Sequence, residues 1–462
     1  MYIEQLYTNC LAEAAYYIES DGEAAIIDPL RETEPYLELA EKRNAKIRYI
    51  FETHFHADFV SGHIDLAAAT GAEIIYGPGA SAEYDIRVAE DGEDFQLGSL
   101  KIRVLHTPGH TLESSCFLLL DQNGNPHSIF TGDTLFVGDV GRPDLAVKQD
   151  LTREQLAGML YDSIEEKIKP LPSYVNVYPG HGPGSACGKV IGSETFSTIG
   201  EQLNSNYALK AKSKKEFIEL VTEGLNEPPR YFFMDAAINR KGYDPINEVL
   251  KTNNKPLTAD QVSAMNSDEV IIIDTRDAAE FAEGHIPGSV NIGINGNFAV
   301  TVGTIIDPET DLVLVTEQGR EEETILRLAR VGYEKVRGYL AGGFSEWTKN
   351  GLPVSTVDTI SATDFAERFR YNSCMALDVR NPDEWVPGFV AGAKLLPLAK
   401  IWTEEQPVDG DKTCFVYCAG GYRSMVAVSL LKKRGYKDLV NVIGGMRELK
   451  KTDIAIRQLT TA

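Results

Sequence analysis

At 462 residues the chain is too long for one hydrophobic core and has room for two or three domains. Hydrophobic residues make up 43% and charged residues 24%, with no low-complexity tract, which excludes a disordered chain; a net charge of −23 without a Lys/Arg-rich stripe argues against nucleic acid and anionic membrane surfaces as partners. No stretch of 18 apolar residues occurs, and the start MYIEQLYTNC lacks a basic segment followed by an apolar one, so a cytoplasmic location is expected.

Taken in chain order, EAAYYIES and EAAIIDP flank Ser20-Asp21-Gly22 and predict a β-hairpin. A helix is expected over 35–43, and then the apolar run IRYIFETHFHADF. KIRVLHTPGH, SSCFLLLD, HSIFTGD and YVNVYPGH are short β-rich runs that each stop at Gly, His or Asp, the layout of an α/β enzyme with its ligands in loops at strand ends. Over 195–257 the chain turns helical and then irregular (NEPPRYFFMDAAINRKGYDP), with a domain boundary near its end. The remainder is an internal repeat: 269–293 resembles 374–398, and 311–347 resembles 413–446. Each copy reads strand, helix, strand, helix, strand, a small parallel-sheet domain of about 100 residues.

Six cysteines (Cys10, Cys116, Cys187, Cys374, Cys414, Cys418) are too sparse for a disulfide framework and are expected to be reduced. Seven of the eight histidines precede residue 182, which assigns metal chemistry to the N-terminal part. His54, His56 and Asp58 alternate, so an extended loop would project all three to one side. Thr107-Pro108-Gly109-His110, Thr131-Gly132-Asp133 and Tyr178-Pro179-Gly180-His181 add three more strand-end loops, whereas His63, His106 and His127 are read as ordinary surface or core histidines.

Four such loops in this order resemble the metallo-β-lactamase fold over roughly residues 1–250, an αββα sandwich with metals at the sheet edges. Binuclear members of the fold, the glyoxalase II hydrolases, carry a His directly after the Asp of the first loop; here that position is Phe59, which cannot coordinate. Gly138-Asp139-Val140-Gly141-Arg142-Pro143-Asp144 matches a segment of the persulfide dioxygenases. By that resemblance His54, His110 and Asp133 would hold one Fe(II), the facial triad that leaves positions open for O2 and substrate. His56, Asp58 and His181 would bind a second metal or orient the ligands by hydrogen bonding. Arg142 would bind a thiol carboxylate or orient the site, with a structural salt bridge to Asp144 or Asp139 as the alternative.

In the last repeat, Cys418-Ala419-Gly420-Gly421-Tyr422-Arg423-Ser424 joins a strand to a helix, where backbone N–H groups and the helix N-terminus would stabilise a thiolate. With the motif Asp378-Val379-Arg380 and the closing Gly444-Gly445-Met446 it resembles the rhodanese domain. Four residues between Cys418 and Arg423 is the rhodanese spacing for sulfur transfer, one more being that of phosphatases. Arg423 would cradle thiosulfate or sulfite, with Gly420, Gly421, Tyr422 and Ser424 lining the substrate. The first repeat keeps the frame (Asp274-Thr275-Arg276, Gly284-His285-Ile286-Pro287-Gly288, Gly342-Gly343-Phe344) but reads Thr316-Glu317-Gln318-Gly319-Arg320, with Glu317 taken as the residue at the cysteine position. It is expected to be a catalytically dead spacer, and His285 to be structural. Cys187 is either a persulfide relay near the metal pocket or an ordinary helix-start cysteine; Cys10, Cys116, Cys374 and Cys414 are assigned to apolar strands of the core.

The expected architecture is α/β: a metallo-β-lactamase-type sandwich over 1–250, a cysteine-less rhodanese domain over 257–355 and a cysteine-bearing one over 358–462. It resembles the persulfide dioxygenase–rhodanese fusions, which implies one Fe(II) per chain, a low-molecular-weight thiol persulfide, O2, and sulfite or thiosulfate. Two rivals stand beside it: a zinc thioester or lactone hydrolase of the glyoxalase II kind, and a non-enzymatic sulfur carrier. A homo-oligomer, with Tyr231 and Phe232 completing a metal pocket, is compatible with the sequence but not dictated by it.

Overall fold

Glu13–Ser20 and Glu23–Ile27 pair antiparallel across Asp21-Gly22, so the chain opens on the expected hairpin. The computed structural model describes residues 1–147, 151–267, 269–370 and 374–459. It divides into two units, Met1–Glu248 with Ala329–Gly332, and Val249–Leu328 with Tyr333–Ala462.

The first unit stacks two six-stranded sheets, each with its strands side by side in chain order. One runs from Tyr2–Thr8 to Arg87–Val88, the other from Asp94–Leu97 to Ser197–Thr198. Period-two alternation sends Ala14, Tyr16 and Ile18 into the core between the sheets, against Phe95, Ile102, Phe117 and Phe130. Ala15 and Tyr17 face the other way, against Tyr36 and Ala40 of the helix Glu34–Arg43. The second sheet is covered on its outer face by Leu160 of the helix Arg153–Ser163 and Phe217 of Lys214–Thr222. Helix, sheet, sheet, helix is the expected αββα order, and both faces of each sheet are dry, which is why the strands read as near-continuous apolar runs.

The segment expected to be irregular is not: Tyr231–Lys241 is a helix of eleven residues. Pro228 and Pro229 lie before its first turn, where a missing N–H costs nothing, so the prolines mark its start rather than its absence. Tyr231 and Phe232 are buried and pack edge to face.

The second unit holds the repeat as two five-stranded sheets of identical strand order, with all strands parallel. The copies share their hydrogen bonding: Asp274 takes the Arg276 guanidinium as Asp378 takes that of Arg380. Strand register corrects one expectation. Asp274 pairs with Val315 as Asp378 pairs with Tyr417, so Thr316, not Glu317, stands where the second copy has Cys418. A hydroxyl no more carries sulfane sulfur than a carboxylate does. His285 is buried, stacked on Phe281 and hydrogen-bonded through Nδ1 to the Phe281 carbonyl at 2.9 Å.

All six cysteines are free. Cys116 and Cys414 are buried strand residues, but Cys10 sits half-buried in the turn after Tyr2–Thr8 and Cys374 half-buried just before its strand. Among the described residues no helix is long and apolar enough to cross a membrane.

Candidate metal centre

Five strands of the first unit end in the residues that matter: Glu23–Ile27 in Asp28, Lys46–Glu52 in the loop 53–59, Leu100–His106 in Thr107 to His110, Pro126–Gly132 in Asp133, and Asn176–Pro179 in Gly180-His181. The loop after Lys46–Glu52 is anchored at both ends. Thr53 donates its N–H and its hydroxyl to Asp28 (2.8 Å each). Asn239, from the helix Tyr231–Lys241, donates to the carbonyls of His56 (2.8 Å) and Phe59 (2.7 Å) and accepts from the Ser61 N–H (2.9 Å). Gly132 brings the next strand end against it: at φ +47°, a Cβ there would lie 2.4 Å from Thr53 Oγ1, so only glycine lets Asp133 approach His54.

His54 Nε2, His110 Nε2 and Asp133 Oδ2 converge. The Asp133 oxygen lies 3.4 Å from the His110 nitrogen and 4.0 Å from that of His54. All three atoms are buried without a hydrogen-bond partner, a costly arrangement for a protein alone and the one a metal ion relieves. Their other atoms are engaged: His110 Nδ1 with the Arg142 carbonyl at 2.9 Å, His54 Nδ1 with Thr53 Oγ1 at 3.0 Å, and Asp133 Oδ1 with His181 Nδ1 at 2.8 Å. A Nδ1–H donated to a carbonyl leaves the Nε2 lone pair of His110 free to ligate. Burial, reinforced by the neighbouring His56, holds His54 well below the usual histidine range and therefore neutral. Burial alone would raise Asp133, but His181 and the other imidazoles hold its carboxyl well below the usual range. Two imidazoles and one carboxylate fit a divalent metal.

The alternating residues do not share one side. The loop bends instead of extending, and His56 Nε2 turns to Asp28 (3.1 Å) and Glu52 (3.5 Å), its ring against Phe59. His181 Nε2 lies 2.7 Å from Asp58 Oδ2. Burial works against its charge, but Asp133 and Asp58 overcome this and raise His181 well above the usual histidine range, so it stands as an imidazolium between two carboxylates. Cys187 lies with Asp58 and His181, in a turn rather than at a helix start. Burial, then Asp58 and Asp133, push its thiol well up, so it is protonated.

The Arg142 guanidinium makes four hydrogen bonds: Asp144 takes Nε (2.6 Å) and Nη2 (2.8 Å), Ala186 O takes Nη1 (3.1 Å) and Asn226 O takes Nη2 (2.6 Å). Its partner is Asp144, while Asp139 accepts from the N–H groups of Val140, Lys189 and Val190.

In the second unit Cys418 is buried and its sulfur accepts the Gly421 N–H at 3.1 Å, with Ser424 Oγ at 3.6 Å. Arg423 forms a two-pronged pair with Glu384 (2.6 and 2.8 Å). Tyr422 points away from the sulfur toward the first repeat, its hydroxyl donating to Gly293 O at 3.1 Å. Sequence reasoning missed Asp28, Asn239 and Glu384. Asp28 follows an apolar strand as the ligands do and was findable; Asn239 lies 180 residues from the carbonyl of Phe59 that it binds and carries no local signal.

A model of the metallo-β-lactamase superfamily matches residues 8–181, and one of the rhodanese-like domain matches 258–350 and 361–452. A hydroxyacylglutathione hydrolase of Pelagibacter ubique is 32% identical over 217 residues, 46% of this chain and 82% of that protein. One from Rhodospirillum rubrum is 34% identical over 35% of this chain and 57% of its own length. The mitochondrial persulfide dioxygenase of Homo sapiens is 31% identical over 224 residues, 48% of this chain and 80% of that protein. The crystal structure of a metallo-beta-lactamase from Staphylococcus aureus matches with a TM-score of 0.64 and 32% identity over 74% of this chain and 98% of that one. The chain therefore belongs to the metallo-β-lactamase superfamily, as a metal-binding domain of that fold followed by two rhodanese-like domains.

Proposed function

We propose that the first unit is a non-haem iron persulfide dioxygenase, in which a thiol persulfide, O2 and water give the free thiol, sulfite and two protons, and that Cys418 is the nucleophile of a sulfurtransferase acting on the same sulfane sulfur. The observation that carries it is the donor set: of three buried groups among the described residues that could hold a metal, the others being Asp58 with His181 and Cys187 and Asp28 with Glu52 and His56, only His54, His110 and Asp133 supply two imidazoles and one carboxylate, and the position that completes a second metal in hydrolases of this fold is the apolar Phe59. Bound to these three residues, ferrous iron supplies the redox chemistry and open coordination positions that O2 activation needs. The chain's own part is to hold that set still. The Arg142 carbonyl fixes the His110 tautomer, and the His181 imidazolium keeps Asp133 ionised and turned.

At Cys418 the thiolate attacks the outer sulfur of thiosulfate. The S–S bond breaks, sulfite leaves with the electron pair, and Cys418 becomes a persulfide; the reverse step makes thiosulfate from sulfite. Linking the two sites raises the effective concentration of the shared sulfur, which suits removal of sulfide-derived persulfides. Cys187 is given no step here, because burial, and after it the carboxylates beside it, keep its thiol protonated.

A zinc thioester hydrolase is the second reading, since hydroxyacylglutathione hydrolases are as similar to the first unit as the human dioxygenase is. Anaerobic metal analysis with oxygen-electrode assays separates the two: one iron per chain and O2 uptake only with persulfide is the expected result, and two zincs with thioester cleavage would overturn it. A His110→Ala chain that loses O2 uptake but still loads sulfur on Cys418 would dispose of the plain sulfur carrier.

A further inference from the structure

The loop that carries Cys418 is gripped from the repeat that has no cysteine. Tyr422 lies between Gly421, whose N–H reaches the Cys418 sulfur, and Arg423, which is paired with Glu384. Its ring lies flat against Gly296 of the first repeat, where a Cβ would come within 2.5 Å of Cε2, 2.7 Å of Cζ and 2.8 Å of Cδ2; any side chain at 296 would push the ring out. The Tyr422 hydroxyl donates to the Gly293 carbonyl at 3.1 Å. Seven residues on, and so on the same face of the helix Tyr422–Lys433, Ser429 Oγ accepts the Asn291 N–H at 3.0 Å.

The receiving segment is itself held by the remnant of the first repeat's own loop. Arg320 donates to Asn295 Oδ1 (2.8 Å) and Arg327 to the Ile294 carbonyl (2.7 Å). In the strand register that equates Thr316 with Cys418, Arg320 and Arg327 are the counterparts of Tyr422 and Ser429. The two copies therefore grip one segment, 291–296, with equivalent positions. A spacer would need none of this.

We propose that the cysteine-less repeat is the seat of the sulfurtransferase site, and that Tyr422, docked on Gly293 and Gly296, is the positioning residue that holds the Gly421 N–H on the Cys418 sulfur and Arg423 beside it. Tyr422 then touches no substrate. Sulfur transfer requires the first repeat although that repeat carries no sulfur, and a ring lost from Gly296 disturbs the reacting geometry more than substrate affinity. The proposal rests on the reading of Cys418 as the sulfur nucleophile.

The test uses the full chain with Gly296→Ala, Tyr422→Ala and Tyr422→Phe, read by thiosulfate–cyanide sulfur transfer and by the pH profile of Cys418 alkylation with iodoacetamide, followed by peptide mass. The expected result is a fall in kcat of about tenfold for Gly296→Ala and Tyr422→Ala with KM within about twofold, an alkylation profile displaced to higher pH, and recovery of most of the loss in Tyr422→Phe, which restores the ring. Folded Gly296→Ala and Tyr422→Ala chains with unchanged kcat and an unchanged alkylation profile would overturn it, as would a Tyr422→Phe chain as impaired as Tyr422→Ala. If Gly296→Ala does not fold, the two Tyr422 variants decide by the same readouts. Should the parent chain transfer no sulfur, the assignment of Cys418 fails, while the alkylation profile still decides whether the seat holds the loop.

Discussion

The His181 imidazole stands between Asp133 and Asp58, with Nδ1 2.8 Å from Asp133 Oδ1 and Nε2 2.7 Å from Asp58 Oδ2. Asp133 thereby keeps one oxygen, Oδ2, turned to His54 and His110. His181→Ala removes that hold without removing a proposed ligand. The expected outcome is a loss of about 10- to 100-fold in metal affinity, read by chelator competition, with sulfur loading on Cys418 unchanged.

Arg142 is committed to Asp144, Ala186 and Asn226, which ties the segment after Asp133 to the Cys187 loop. Lysine cannot reproduce a forked guanidinium pair in a site that is 4% exposed. Arg142→Lys is therefore expected to lower stability by roughly 2–3 kcal/mol, measured by denaturant unfolding of the full chain. A substrate carboxylate as its real partner would show the opposite pattern, a raised KM at unchanged stability.

Glu384 holds the Arg423 guanidinium by two hydrogen bonds, so an anionic substrate of the proposed sulfurtransferase would compete with it. Burial tends to raise the Glu384 carboxyl, but Arg423 prevails and its pKa is lowered, so the pair persists at neutral pH and loosens only as acidification protonates Glu384. Replacing it by Gln removes the competing charge. Steady-state assays of Glu384→Gln should show KM for thiosulfate lowered about three- to tenfold, with kcat little changed; an unchanged KM would mean that Arg423 does not receive the anion.

His285 is kept neutral: burial pushes it down to about 4 from an ordinary 6.5. The unfolded chain takes up the proton first as pH falls, so the contribution of this residue is complete above about pH 6.5 and is lost between there and about pH 4. The full effect is at most about 3 kcal/mol. Unfolding midpoints of the second unit measured across that range should fall less steeply in His285→Gln than in the parent chain.

Much of the site was legible because ligand types stood at the ends of apolar strands, where an α/β sandwich exposes its loops. His54, His110 and Asp133 were found this way, and so were the repeat, Cys418 and its four-residue spacing to Arg423. Reading the loop 53–59 as extended failed, since Asp28 and Glu52 draw His56 aside and Asn239 bends the backbone around it. Taking prolines as breakers misplaced the helix Tyr231–Lys241, the same helix that supplies Asn239.

By itself the sequence determined the two kinds of domain, the candidate metal-binding residue types and the one cysteine at a rhodanese-like strand-to-helix junction, because those follow from local periodicity and from chemistry carried by individual side chains. Only the tertiary structure decided that His181 Nδ1 meets Asp133 Oδ1, that Thr316 and not Glu317 faces the cysteine position, and that Tyr422 is seated on Gly296. Each of these depends on register and on contacts between residues far apart in the chain, and no local pattern records which distant partner a buried polar group will find.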